Sequence, residues 1–280
     1  MQRACCEFET VLNKTLKLHV FLGTQPKKRV LLEVVDLRVG QLKKKPHRLA
    51  VCAGPVWLYA EWASLPTFFE MWIANGATKF YFYVNSISKE VDGIFRIYEN
   101  DPNISVERVQ WNLFPVEADV SDQENPNNLI YIGAQVFVFN DCIVRARGNT
   151  DYLALSDLDD NFVVFDNRTL LSVLDSQLKK DRKIGSIMFQ STYAKLNVVV
   201  VPERILSQHV HETLKTIRPF KKVLMDPNIS LIYHLRYIEL LKQEYLRLEG
   251  VFNASHLTLK QAHWNNVGLK VPDLKNQKEF

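Results

Sequence analysis

Three carboxylates fall within four residues at Asp157-Leu158-Asp159-Asp160, directly after the apolar run Tyr152-Leu153-Ala154-Leu155. Hard divalent cations such as Mg²⁺ and Mn²⁺ prefer oxygen ligands of this kind and keep positions open for phosphate oxygens. If extended backbone continues through the cluster, Asp157 and Asp159 point to the same side, because strand side chains alternate with period two. They would then stand about 7 Å apart and share one cation or its waters. A metal so held can bridge a diphosphate and stabilise a leaving nucleoside diphosphate as charge builds on it. The bland alternative is a solvated turn in which Asp159 or Asp160 caps a helix.

Other residues could complete such a site. The long apolar stretch Leu129 to Arg147 carries Gln135, Asn140, Asp141 and Arg145. Asp141 and Arg145 are four apart and can pair on one helix face. They are either a structural ion pair or charges set beside a donor diphosphate, where Arg neutralises phosphate oxygens. In His209-Val210-His211-Glu212, His211 is the candidate distal metal ligand, with His234 its competitor and a surface or capping role the alternative. Glu212 is a candidate general base, since an attacking hydroxyl needs a group such as a carboxylate to take its proton. Asp119 or Asp122 would serve equally. Tyr81, Tyr83 and Trp111 could stack on a base or sugar, but core packing is the ordinary fate of such residues.

The elements that must position these groups alternate. Leu49 to Ala53 reads as a strand ended by Gly54-Pro55. Ser64 can cap a helix closing at Asn75-Gly76. Strands are expected over Lys79 to Val84, Ile104 to Val109, Tyr152 to Leu155, Ile184 to Phe189 and Val198 to Val201. Helices are expected over Val91 to Tyr98, Leu129 to Arg147, Thr169 to Leu178 and around Leu231 to Leu248. Strands alternating with helices at this spacing mean βαβ units, hence an α/β fold with a mixed, mainly parallel sheet of Rossmann type and helices on both faces. Ligands of such sheets bind beyond the C-terminal ends of the strands, where the acidic cluster falls. The expected organisation is a β-rich lead-in over 1–48, the α/β domain over 49–250 and a C-terminal tail over 251–280.

Several chemistries are excluded. There is no G-x-G-x-x-G, no G-x-x-x-x-G-K-[ST] and no G-x-S-x-G in the chain. A dinucleotide enzyme, a P-loop NTPase and an α/β-hydrolase therefore lack their fingerprints. A net charge of +4 over 280 residues is too mild to argue a nucleic-acid partner. No stretch approaches the roughly 18 apolar residues that span a bilayer, and Met1 to Glu9 has no apolar core of a signal peptide. Five N-x-[S/T] sequons, at Asn13, Asn103, Asn167, Asn228 and Asn253, pull toward a lumenal or extracellular address, since chance gives roughly two. Of the cysteines, Cys5 and Cys6 are adjacent, while Cys52 and Cys142 either bridge or remain buried thiols.

An ordered set of segments resembles glycosyltransferase family 92, a nematode-rich family also described as a domain of unknown function. The segments are Val51 to Pro55 with Glu61-Trp62, Phe69-Glu70 with Asn75-Gly76, Phe80 to Val84 with Ser86, and Asn140 to Cys142 with Arg145. Tyr152 to Asp160, Val201 to Arg204 with His211, and His234-Leu235-Arg236 follow in family order. The resemblance implies a GT-A-type fold and an inverting, metal-dependent transfer of galactose from UDP-galactose to a glycan or glycoprotein acceptor. It implies Mn²⁺ or another divalent cation at Asp157, Asp159 and His211, donor contacts from Asp141, Arg145 and Asp157, and Glu212 as base. It also implies a Golgi membrane protein facing the lumen, with an anchor expected in full-length relatives and absent from this chain. Two positions depart from the family pattern: Asp160 stands where Glu is usual, and Leu235 replaces the Tyr of His-Tyr-Arg. The alternative is a catalytically inactive paralogue that binds glycan or nucleotide-sugar through the same cleft.

Overall fold

A computed structural model of the chain describes residues 4–11, 15–22, 27, 29–34, 44–112, 116, 119–121, 123–127, 134–192 and 196–234. The chain divides into two compact units, Met1–Gln41 and Leu42–Phe280. In the first, β1 (Ala4–Val11), β2 (Thr15–Leu22) and β3 (Arg29–Val34) form an antiparallel meander in that order. The sequence carries β-type runs at Leu16 to Phe21 and Val30 to Val39; the first falls on β2 and the second on β3 as far as Val34, with positions 35–39 outside the described residues, and β1 is an addition to the sequence reading.

The second unit is built on alternation. In β4 (His47–Val56), Leu49, Val51 and Ala53 face one way and Ala50 and Cys52 the other. β5 (Ala77–Val84) repeats the pattern, with Phe80 and Phe82 on the first face and Tyr81 and Tyr83 on the second. Both faces must therefore be covered. On the first lie α1 (Leu65–Ala74) and α2 (Lys89–Glu99), which bury Phe68, Phe69, Trp72, Phe95 and Tyr98 against Phe80 and Phe82. On the second lies α3 (Ala134–Ala146), which buries Val138, Phe139, Cys142 and Ile143. After β6 (Ser105–Gln110) come β7 (Thr150–Ser156), β8 (Asp160–Val164), α4 (Leu170–Lys180) on the first face, β9 (Ile184–Gln190) and β10 (Leu196–Val200). The short strands β11 (Ile205–Gln208), β12 (Thr213–Thr216), β13 (Lys221–Leu224) and β14 (Ser230–His234) close the described chain.

The main sheet has seven strands in the order β13-β9-β10-β7-β4-β5-β6. All its neighbouring pairs are parallel except the two made by β10. This is the expected α/β architecture, a mixed and mainly parallel sheet with helices on both faces. The strand order reverses between β4 and β7, so the crevice beyond their C-terminal ends is the topological switch point where such sheets bind ligands.

Several local expectations change. Gly54-Pro55 does not end β4. The strand continues to Val56, and the pair sits where the β4–β5 register shifts between Ala53 and Val56. A bulge tolerates a proline that cannot donate to the ladder. Ser64 occupies the N-cap of α1, but its hydroxyl donates to Glu61 O and bonds Tyr59 Oη instead of capping. Asn75-Gly76 does close α1, with Gly76 at φ +95°. Residues 231–234, placed in a helix by the sequence, form β14 paired antiparallel with β8. Their apolar run reads equally as strand, and full burial of Ile232 against the main core decides it; positions 235–248 lie outside the described residues. Cys52 on β4 and Cys142 on α3 form a disulfide, with Cα atoms 6.5 Å apart. No described helix is long and apolar enough to cross a membrane.

Candidate functional site

β7 delivers the acidic cluster to the switch point. Ser156 is its last residue, and the β4–β7 register sets Ala53 opposite Ser156, so Gly54 follows level with Asp157. The chain then turns instead of continuing extended. The Asp160 amide donates to Asp157 O at 3.2 Å, and β8 begins at Asp160. This corrects the expectation that Asp157 and Asp159 share a face through strand alternation. A turn converges consecutive side chains, and it brings in Asp160 as well. One carboxylate oxygen from each of Asp157, Asp159 and Asp160 lies within 4.8 Å of the others. Like charges at this spacing repel by roughly 3 kcal/mol per pair at an effective dielectric of about 20. A divalent cation would relieve that repulsion, and the all-oxygen donor set suits Mg²⁺ or Mn²⁺.

The three acids are not equivalent. Asp160 is 3% exposed. Its Oδ2 accepts from Asn197 Nδ2 of the neighbouring strand β10 and, at 3.3 Å, from the Asp157 amide. Asp160 is thereby committed to holding the turn. Asp157 and Asp159 are half-buried. Gln135, in the first turn of α3, donates through Nε2 to Asp157 Oδ1 at 2.6 Å. Room for that bond depends on Gly54, where a Cβ would stand 3.2 Å from Gln135 Nε2 and 3.6 Å from Asp157 Oδ1. Beside Asp159 lies Tyr59. Burial, aided by the charges of Glu61 and Asp159, holds its phenol above the ordinary pKa against the opposing hydrogen bond to Ser64.

The remaining candidates divide by position. His211 reaches the same end of the sheet: its Nδ1–H donates to the carbonyl of Leu196 at 3.0 Å, next to Asn197. A carbonyl only accepts, so Nδ1 carries a proton in this contact; His211 is not among the residues whose ligand atoms converge within 4.8 Å, which are Asp157, Asp159 and Asp160. His234 is set opposite Asp160 by the β8–β14 register. The Glu212 carboxylate pairs with Lys222 Nζ of edge strand β13 at 3.7 Å and is exposed. Asp141 and Arg145 do pair, at 2.5 Å, and Asp141 also accepts from Tyr83 Oη at 2.5 Å. Arg145 extends the network to Glu107 at 3.5 Å. Asp141 stands six residues beyond Gln135, about 9 Å down the helix axis. Tyr81 and Tyr83 are core residues. Burial first, then the bond to Asp141, raises the Tyr83 phenol well above its usual range. Trp111 packs edge-on against Tyr83, 5.5 Å between ring centroids. Asp119 lies in an exposed turn, and Asp122 lies outside the described residues.

Asn197 and Gly54 are the participants that sequence reasoning passed over. The available signals were an asparagine in the apolar strand Leu196 to Val201 and a glycine at the end of a buried one. An amide among valines needs a buried polar partner, here the Asp160 carboxylate.

Two Caenorhabditis elegans glycosyltransferase family 92 proteins match the chain. One is 19% identical over 254 residues, covering 78% of this chain and 48% of its own length. The other is 23% identical over 227 residues, covering 71% and 44%. The chain thus spans about half the length of the curated relatives it matches. Among solved structures, the S. aureus TarS 1–349 crystal structure aligns at TM-score 0.42 with 9% identity, over 79% of this chain and 71% of that one. The mannosyltransferase PcManGT from Pyrobaculum calidifontis, in complex with GDP-Man and Mn²⁺, aligns at TM-score 0.43 with 12% identity, over 80% and 66%. The sequence profile of glycosyltransferase family 92 matches residues 47–198, from the start of β4 through the acidic turn to Asn197 and Val198 in β10, and the chain belongs to that family.

Proposed function

We propose that the chain is the catalytic portion of a metal-dependent, inverting glycosyltransferase of GT-A type, moving galactose from UDP-galactose to a hydroxyl of a glycan or glycoprotein acceptor. The convergence of Asp157, Asp159 and Asp160 within 4.8 Å at the switch point carries this reading. Asp157 and Asp159 would hold Mn²⁺ or another divalent cation, with His211 the proposed further ligand although it stands outside the group of carboxylates that converges within 4.8 Å. When bound, the cation would offset charge on the departing UDP. Asp160, Asn197 and Gln135 keep the turn and the Asp157 carboxylate in place. Glu212 is the proposed base: released from Lys222, it takes the acceptor hydroxyl's proton as that oxygen attacks the face opposite UDP. Arg145 and Asp141 are the proposed donor contacts; the guanidinium would have to leave Asp141 and Glu107 to offer its charge to the diphosphate.

The Cys52–Cys142 disulfide supports a lumenal address, because such bonds persist in oxidising compartments. A Golgi membrane location, on the lumenal side, is part of this proposal. The test is turnover: release of UDP from UDP-galactose in the presence of a glycan acceptor and Mn²⁺. We expect release that chelation abolishes and that Asp159→Asn lowers at least 100-fold without unfolding. Undiminished release by folded Asp159→Asn would contradict the assignment. UDP binding without turnover on any acceptor would mark the non-catalytic paralogue, which the Asp160 substitution favours.

A further inference from the structure

The sequons stand apart from the acidic turn. Three of the five are described, and Asn103, Asn167 and Asn228 are all exposed in turns. Asn13 and Asn253 lie outside the described residues. Two of the three belong to an exact internal repeat: Asp101-Pro102-Asn103-Ile104-Ser105 and Asp226-Pro227-Asn228-Ile229-Ser230 have one sequence. They also have one conformation. In the first, Asp101 Oδ1 accepts from Asn103 N at 2.8 Å and from Asn103 Nδ2 at 3.0 Å. In the second, Asp226 Oδ1 accepts from Asn228 N at 2.9 Å and from Asn228 Nδ2 at 3.0 Å. Each turn leads straight into a strand, β6 and β14 respectively.

We infer that Asn103, Asn167 and Asn228 carry N-linked glycans. This rests on the lumenal address proposed above. The chemistry fits the local geometry. The Nδ2 of each asparagine attacks the anomeric carbon of a polyprenyl-diphosphate-linked oligosaccharide. The N–C bond forms, the C–O bond to the diphosphate breaks, and one amide proton is lost as the lipid diphosphate leaves. The product amide keeps one N–H. At Asn103 and Asn228 that N–H can retain the bond to the turn aspartate while the sugar points to solvent.

Position supports the same conclusion. Asn103 precedes β6 and so lies at the N-terminal end of the parallel strands, the end opposite the acidic turn. Asn167 and Asn228 lie together at the far end of the β8–β14 pair, where the Phe165 amide donates to Ile229 O at 3.0 Å. The β8–β14 register runs from His234 opposite Asp160 to Ser230 opposite Val164. Those four residues place both sites about 13 Å or more from Asp160. Glycans at all three positions leave the switch point open. The sites also differ in timing. Ser230 is fully buried, and its hydroxyl donates to Val163 O at 2.8 Å. A transfer enzyme that reads this hydroxyl must act at Asn228 before β14 closes on β8, during entry of the unfolded chain.

The experiment is secretion of residues 1–280 behind a cleavable signal from a human cell line. Enzymatic release of the glycans in heavy-oxygen water then marks each occupied asparagine for peptide mass mapping. The expected result is marked peptides at Asn103, Asn167 and Asn228, with apparent mass falling by one glycan in each of N103Q, N167Q and N228Q. A secreted, folded chain with these three asparagines unmarked would overturn the inference. The supplied signal takes the chain into the lumen whatever its native address, so that result counts against the sites alone. Occupancy is read independently of donor binding: glycosylated chain that binds no UDP upholds this inference and counts against the proposed function.

Discussion

Removing the Gln135 amide is the most informative perturbation near the acidic turn, because two substitutions reach it by different routes. Gln135 Nε2 donates to Asp157 Oδ1 at 2.6 Å, a bond between an amide and a charged acceptor. Such bonds contribute about 1.5–3 kcal/mol. At about 1.4 kcal/mol per tenfold, Gln135→Ala is expected to weaken Mn²⁺-dependent UDP binding about 10- to 100-fold. Gly54→Ala acts on the same bond from outside. Its Cβ would stand 3.2 Å from Gln135 Nε2, closer than the amide tolerates without moving, but 3.6 Å from Asp157 Oδ1, an ordinary contact. Gly54→Ala alone is therefore expected to cost a similar factor. In the Gln135→Ala background it is expected to cost almost nothing, because the crowded atom is gone. Isothermal titration of UDP in the presence of Mn²⁺ over the four members of the cycle measures this coupling. Additive losses, or wild-type affinity in Gln135→Ala, would refute the idea that this amide orients Asp157.

Further outcomes follow from the scaffold. Replacing both Cys52 and Cys142 by Ala opens a cross-link across 90 residues and is expected to cost about 2–5 kcal/mol. Equal denaturant midpoints with and without reductant would contradict the bond's contribution. Two glycines are expected to respond to alanine with opposite signs in thermal melts. Gly76 has φ +95°, and its added Cβ would meet Leu171 at 3.0 Å, so Gly76→Ala destabilises by at least about 1–2 kcal/mol. Gly93 lies inside α2 with nothing within 4 Å of an added Cβ, so Gly93→Ala stabilises by about 0.5–1 kcal/mol. Burial first, then Lys79, lowers the pKa of His47 below its unfolded value of 6.5. The folded state thus favours the neutral ring, and the contribution is intact above about pH 6.5. It is lost as pH falls through the lowered folded pKa. His47→Gln is expected to flatten the decline in melting temperature below about pH 6.5, and an unchanged profile would count against it.

Much of this architecture was legible because burial on both faces leaves a plain mark. β5 reads as continuous aromatics, since Phe80 and Phe82 meet helices on one side and Tyr81 and Tyr83 meet α3 on the other. The acidic turn was legible as chemistry but not as geometry. Period-two alternation predicted a pair, Asp157 and Asp159, whereas the Asp160 amide closing on Asp157 O makes a turn of three carboxylates. A hydrogen bond across three residues has no periodic signature. The strand β14 was misread as helix because an apolar run of four or five residues fits either period, and pairing with β8 decides it. Asn197 could not be assigned from its own neighbourhood. Its partner Asp160 is 37 residues away, and that proximity comes from the β10–β7 pairing.

The central claim, that the acidic turn holds a cation which in turn holds a nucleoside diphosphate, is tested most directly by calorimetric titration of UDP with and without Mn²⁺. The wild-type chain and Asp159→Asn are compared, with circular dichroism confirming that both are folded. The account predicts UDP binding in the wild type only when Mn²⁺ is present, and its loss in Asp159→Asn. Equal UDP affinity for the two proteins, or wild-type binding indifferent to Mn²⁺, would contradict it.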